Sequence, residues 1–509
     1  MVAVLFAVLY ISIQLRASGF LFNVLTGLNI NVGMIALSVV LALYVILGGL
    51  RAVAEVDRMQ FILLAIGITF IGILVLNAVG GWTQWNEGVV TLTQFDYKRA
   101  PNTDDYSHYV AIPGVIQFVS RGSEWTGVML LTFMFALMGI QSAPAFSMWA
   151  FSNESPKPFV WQQVFFSAFI VGFILLIFTV IQGLGSHLLG ADEAFLNAHP
   201  ELKGDNTVMD VVEKSDTLIP YLIQMLANIK EMPWLVGGLA ICALAAMQST
   251  AAPYIVSTGG ILTRDLFKNY TNDQQQILWG RWNSFIIVLV AIGAAILADL
   301  ADQNIAMLGG LAVAIGLQMW PALVAVCWWP WLTRQGVVAG LITGIVVVIL
   351  TENPFGVFGP SWIHWPLTIH SAGWGIFSNF LVAIIVSCRT QNKVETGHRM
   401  TFHKFLREHG SLSANKKWLI PIAWVVTLVW FIFAVGPGAV LGNDIFGNPN
   451  TWESGMPSIW IWQLIWWGLG VAMMFFLAYW MEMSTEPEKK IEPLQADIAI
   501  IYQNANQRH

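Results

Sequence analysis

The sequence of 509 residues is poor in charge, with only 11% Asp, Glu, Lys and Arg, against about 25% in an ordinary soluble domain. With 56% hydrophobic residues and a mean hydropathy of +0.66, that shortage excludes a soluble enzyme, a nucleic-acid binder and a disordered chain. Cysteine is scarce too. Cys242, Cys327 and Cys388 each lie in or beside an apolar run. An odd number without close spacing argues against a disulfide framework or a thiolate metal site, which leaves three inert thiols. Also missing are a His pair at metal spacing, a Gly-rich phosphate loop and a pair of carboxylates inside an apolar run. Hydrolytic and redox chemistry therefore has no visible basis, and the chain is not expected to be an enzyme. The net charge of −6 is too small to select a partner.

What the chain has is apolar length. A bilayer core takes about 20 mostly apolar residues per helix. Twelve runs qualify, at 2–23, 31–50, 59–81, 126–150, 158–189, 234–262, 279–298, 305–329, 335–351, 370–388, 417–439 and 458–481. The expected class is an all-α polytopic membrane protein with about twelve transmembrane helices. The 24 Trp fit this, since Trp gathers at membrane interfaces. An even number of crossings puts both ends on one side, and Lys and Arg choose it. With a cytoplasmic N-terminus, 17 of the 24 Lys and Arg fall on the inner side and 6 on the outer; Arg16 lies inside a helix. This predicts a multi-pass protein of a bacterial-type cytoplasmic (inner) membrane, both termini of this chain cytoplasmic. The first apolar run starts at Met1, without the basic stretch or cleavage site of a signal peptide, as though cut from a longer hydrophobic hairpin.

Two outer loops are long, about 82–125 and 190–233. The second holds a short amphipathic stretch, Leu218 to Leu226, that either lies on the membrane or caps a vestibule, or simply packs against the loops. The inner loop 389–416 is the most basic stretch; it meets anionic head groups or serves as a solvated loop that sets topology. The tail 482–509 is polar.

Polar residues and helix breakers inside apolar runs are costly in hydrocarbon and tend to face a cavity. The strongest group is Ala245 to Tyr254, where Ser249 and Thr250 follow Ala246 by one turn and precede Pro253. Proline removes a backbone donor, and hydroxyls beside freed carbonyls suit a hard cation such as sodium. The alternative is hydroxyls bonding back to the preceding turn. A second group, Gly139-Ile140-Gln141-Ser142-Ala143-Pro144, suggests a broken helix, the best sequence pointer to a transported solute, or a simple proline kink. A third is Gln318, beside Pro321, as ligand or interhelical amide. Arg16 is read as meeting a substrate carboxylate or the polar groups of a neighbouring helix. Gly336, Gly340 and Gly344 form a stripe for close helix approach.

Two motifs carry a resemblance. Tyr44-Val45-Ile46-Leu47-Gly48-Gly49-Leu50-Arg51-Ala52-Val53, then Asp57 and Gln60, resembles the inner-loop signature of the sodium/solute symporter family, which includes sodium/proline, pantothenate and sugar symporters. Val56 stands where that signature has Thr. The stretch from Ala245 to Lys268, ending Asp265-Leu266-Phe267-Lys268, is similar to the family's long helix and aligns without a gap. The resemblance implies a leucine-transporter-like fold, two inverted five-helix repeats around a central site. It places sodium ligands at Ala246, Ser249 and Thr250, Asp57 on the sodium release path, and the broken helix at Gly139–Pro144. The inner-loop motif follows two helices here where the family has about five. The chain is therefore expected to be N-terminally incomplete, by truncation or because a separate polypeptide supplies those helices. The symporter core is assigned to 1–330, additional C-terminal transmembrane helices to 331–481 and a polar cytoplasmic tail to 482–509.

The function expected is a sodium-coupled symporter that takes up a small organic solute, a carboxylate or amino acid on the strength of Arg16. The partners are that solute, sodium and the bilayer. The solute would bind near Gln141, Ser142, Gln318 and Arg16. Two rivals are a non-transporting sensor or regulatory subunit on the same fold, and a proton-coupled carrier, which would want an intramembrane carboxylate or His near the site.

Overall fold

The computed structural model describes residues 1–94, 110–117, 125–151, 161–191, 215–267, 273–301, 303–353, 357–358, 364–409, 412–447 and 456–483. Most of the polar tail 482–509 lies outside them, as does Lys268. Helix is the regular structure of the described residues, with no strand among them.

Sixteen helices of eight residues or more organise the described residues. They are α1 Val2–Thr26, α2 Ile30–Val79, α3 Trp82–Gln94, α4 Gly127–Ser142, α5 Pro144–Phe151, α6 Gln162–Leu189, α7 Leu218–Ile229 and α8 Pro233–Leu266. Then follow α9 Gln275–Leu300, α10 Ile305–Leu317, α11 Trp320–Cys327, α12 Arg334–Glu352, α13 Ser371–Arg389, α14 Lys393–His409, α15 Leu419–Val435 and α16 Ser458–Trp480. Among the described residues nine helices are long and apolar enough to cross a membrane. A tenth span counts if α15 and the turn Pro437–Asn443, bent by 50°, are taken together.

Two expected spans are concealed in α2. Its 50 residues would extend about 75 Å at 1.5 Å per residue, far beyond a core of about 30 Å. The helix is interrupted at Gly49, where φ is 60° and ψ is −158°. That conformation is closed to residues with a Cβ, so Gly49 is where the second and third apolar runs meet. The remaining expected span is α4 with α5. They part at Ala143, whose ψ of 137° is extended. Pro144 causes this, because a residue before proline is driven out of the helical region.

The core forms where α1 packs against α2, α8, α9 and α10. Phe6, Ile11 and Leu15 of α1 are fully buried against Met34, Leu41, Ala252 and Ile255. α10 is apolar on every face and buried from Gly310 to Leu317. Small residues allow its neighbours to come close. Outward faces keep large apolar residues exposed, Leu43 at 57% and Leu289 at 51%, as lipid contact demands. α7 is amphipathic as expected, but it is no surface helix: Leu222, Ile223 and Leu226 are buried against α8 and α6.

α12 and α13 pair through the predicted glycine stripe. A Cβ at Gly336 would strike Ser387, and one at Gly340 would lie 2.5 Å from the Asn379 carbonyl oxygen. At the start of α13 the ring of His370 caps the helix, Nδ1 accepting from the Ala372 N–H at 3.2 Å. His370 is fully buried, near Glu352, whose carboxylate accepts from Trp365 Nε1 at 2.9 Å and from Ser371. His370→Ala, which removes the cap, is expected to cost about 1 kcal/mol of stability, read by thermal melts of the purified protein in detergent.

Candidate functional site

Ser249 and Thr250 are half-buried in the middle of α8. The helix continues through Pro253. The missing proline donor leaves the carbonyl of Ser249, four residues earlier, without its helical partner. Both side chains turn inward along the helix. Ser249 Oγ and Thr250 Oγ1 each donate to the carbonyl of Ala246, at 3.1 Å. Three oxygens of one helical turn thus gather at one point. Back-bonding of this kind is how a hydroxyl satisfies itself in a membrane helix. Rotation of the two hydroxyls turns the same atoms into neutral ligands for a small cation.

The residue before Ser249 extends the polar path. Gln248 Oε1 accepts from Gln60 Nε2 at 2.7 Å, which joins α8 to the second arm of α2. Gln60 is 4% exposed, and Asp57 lies one turn before it. Asp57 Oδ1, Gln60 Oε1 and Tyr44 OH are buried without a hydrogen-bond partner. The first two are acceptors in want of a donor, the arrangement that favours a cation. The sequence singled out Asp57 for the release path but not the Gln60–Gln248 bridge. Two amides in apolar runs were the signal; nothing local pairs residues 188 positions apart.

The substrate candidates do not share one cavity. Gln141 is exposed into a cavity of about 410 Å³ between α4, α6, α15 and α16, walled by Met138, Trp430, Phe431 and Trp467. Neither Ser142, Gln318 nor Arg16 lines it. Ser142 Oγ donates to the carbonyls of Gly139, at 2.8 Å, and Gly316, at 2.7 Å. It sits where α4 crosses α10 backbone to backbone: a Cβ on Gly316 would lie 2.9 Å from the Gly139 carbonyl oxygen. Trp320 Nε1 adds a bond to the Met138 carbonyl at 3.0 Å.

For Gln318 and Arg16 the structure shows the interhelical contacts that the sequence offered beside a ligand role. Gln318 is 1% exposed, and its amide is engaged: Nε2 donates to Ala314 O at 3.0 Å, and Oε1 accepts from Asn379 Nδ2 at 3.2 Å. Asn379 also donates to the Gln318 carbonyl, at 2.9 Å. The amide is an interhelical tie to α13. Arg16 is 2% exposed, with Phe20 beneath its guanidinium at 5.2 Å and Asp299 Oδ1 3.5 Å from Nε. A buried cation needs a counter-charge, and the last turn of α9 supplies it where a substrate carboxylate was expected.

Residues 1–344 of the chain match the sodium:solute symporter family. Among solved structures, the chain is similar to a Na+-coupled sialic acid symporter in its substrate-bound, outward-open state, described as having a novel Na+ site. The two are 19% identical, the match covers 76% of this chain and 74% of that one, and the TM-score is 0.53. At that identity the likeness shows the fold, which is the leucine-transporter-like one.

The Arg16 pairing is open to direct measurement. Removing one partner of a fully buried ion pair costs about 3–5 kcal/mol. Asp299 is 29% exposed, so Asp299→Asn is expected to cost less, about 2 kcal/mol. The double change Arg16→Met with Asp299→Leu should recover most of that loss. Thermal melts of the purified protein in detergent read both.

Proposed function

The chain belongs to the sodium:solute symporter family, a membrane transporter with sodium as its coupling ion, and on that premise we propose that Ala246, Ser249 and Thr250 hold the sodium. The observation that carries the reading is the convergence of both hydroxyls on one carbonyl. Sodium accepts neutral oxygens from a helix in this way. The buried acceptors Gln60 and Asp57 extend the path from that point, and Asp57 serves the ion's release.

The solute is a small organic molecule that binds beside Gln141, whose amide is the one substrate candidate left open. Gln318 and Arg16 act by packing, and Ser142 by holding the broken helix. Asp299 gives Arg16 a counter-charge within the protein, which weakens the argument for a carboxylate solute, although Arg16 Nη1 has no hydrogen-bond partner of its own. Residues 1–330 form the transporting core and 331–481 flank it.

The cycle is alternating access. Sodium on α8 favours the outward-open form, and the solute then binds to the state that sodium has selected. Coupling is reciprocal, so each ligand tightens the other by the same factor. The excess of Lys and Arg on one side places the termini of this chain in the cytoplasm of a bacterial-type cell, and the inward sodium gradient drives uptake.

The test is sodium titration of the protein in proteoliposomes, read by thermal stability against equal concentrations of KCl. NaCl should stabilise more than KCl. Ser249→Ala should raise the sodium concentration for half effect about tenfold, equivalent to about 1.4 kcal/mol. Equal responses to the two salts, or an unshifted midpoint in the variant, would refute the assignment.

A further inference from the structure

α14 follows the last residues of α13 and is unlike the spanning helices. Basic residues, Lys393, Arg399, Lys404 and Arg407, alternate with exposed apolar ones, Val394 at 71%, Phe402 at 44% and Phe405 at 37%. A helix of that kind lies in the plane of the membrane surface. Two contacts tie it to the chain above. The His403 ring Nε2 lies 3.0 Å from the Ala325 carbonyl, and Arg399 Nε donates to the Pro330 carbonyl at 2.8 Å. The segment between those carbonyls holds Trp328, 68% exposed, and Trp329. Exposed Trp marks the depth of the lipid head groups.

Between α11, α12 and α14 these contacts leave a cleft of about 510 Å³. One end is apolar: Val326, Val338 and Phe402 line it, and Val326 and Val338 stay exposed toward lipid, at 53% and 48%. The other end is cationic. Arg334 and Arg399 face it against a single carboxylate, Glu395, which is 3.7 Å from Arg399 Nη1. Arg334 makes no ion pair among the described residues. It also stands in the first turn of α12, at the positive end of a helix dipole, where a cation is disfavoured and an anion is stabilised. Arg399 Nη2 also donates to Thr396 Oγ1 at 3.1 Å and Gln391 Oε1 at 3.4 Å, so Arg399 is held in place and the net positive charge of the cleft is that of Arg334. The cleft therefore joins a net positive charge to an apolar wall that runs into the bilayer.

We propose that this cleft binds one anionic phospholipid. The phosphate group sits between Arg334 and Arg399, and an acyl chain follows Val326 and Val338. The match rests on charge complementarity at one end and continuity with lipid at the other. A soluble anion would use only the first.

The experiment uses the full chain in detergent, titrated with phosphatidylglycerol, phosphatidylcholine or inorganic phosphate, with bound lipid counted by native mass spectrometry. Phosphatidylglycerol is expected to be retained at one site, and phosphatidylcholine and phosphate are not. Arg334→Gln should weaken that binding about fivefold, matching about 1 kcal/mol for one basic residue near an anionic surface. Val338→Trp, which fills the apolar end and leaves the charges alone, should abolish it. The proposal is overturned by equal retention of the two lipids, by competition from phosphate alone, or by full retention in both variants. Melts of each variant without added lipid, matching wild type, exclude misfolding as the cause.

Discussion

Hydrocarbon offers no hydrogen bond, so each polar group inside these helices must be answered within the protein. The rest of the architecture follows from that constraint. Arg16 is answered by Asp299, Gln318 by Asn379, Ser142 by the carbonyls of Gly139 and Gly316. Each answer comes from a different helix or a different turn, and so each fixes a crossing. Some of these answers are incomplete: Arg16 Nε and Nη1 and Asn379 Oδ1 are buried without a hydrogen bond, and so are Asp57 Oδ1 and Gln60 Oε1. Along Asp57 and Gln60 the open atoms are acceptors on neighbouring turns of one helix.

α10 links the matched region to the C-terminal helices. On one side it meets α4 at Gly316; on another its last residue is followed by Gln318, bound to Asn379 of α13. A Cβ at Gly310 would come within 3.3 Å of the His370 ring. Small residues let α10 pack against α1, α4 and α13 at once, and a bulkier side chain at Gly310 or Gly316 would push one of them away. The pair α12–α13 is therefore braced against α10 at two levels.

Much of this was legible in the sequence because bilayer thickness sets a length scale. Twelve apolar runs could be marked, and the breaks at Gly49 and Ala143 fall at Gly-Gly and Ala-Pro steps whose backbone preferences are local. The glycine stripe of α12 was legible for the same reason, since a period of four is a property of one helix. Partners across the fold were not. Asp299 sits 283 positions from Arg16 and is followed by Leu300 and Ala301, so it reads as a loop-edge carboxylate. Asn379 is one polar residue within an apolar helix, indistinguishable by pattern from a lipid-facing amide. The partners of Arg16 and Gln318 depended on those two residues, and the sequence had left both between the solute and a neighbouring helix.

The crossing of α4 and α10 has a mechanical meaning. With glycine on both sides and carbonyl against backbone, the closest point is bridged only by the Ser142 hydroxyl, and no bulky side chain stands between the two helices to slip past another. The crossing behaves as a clamp instead of a bearing. Whatever displaces α10 carries the upper half of the broken helix with it, and the slack for any independent movement of the lower half must come from the single extended residue at Ala143.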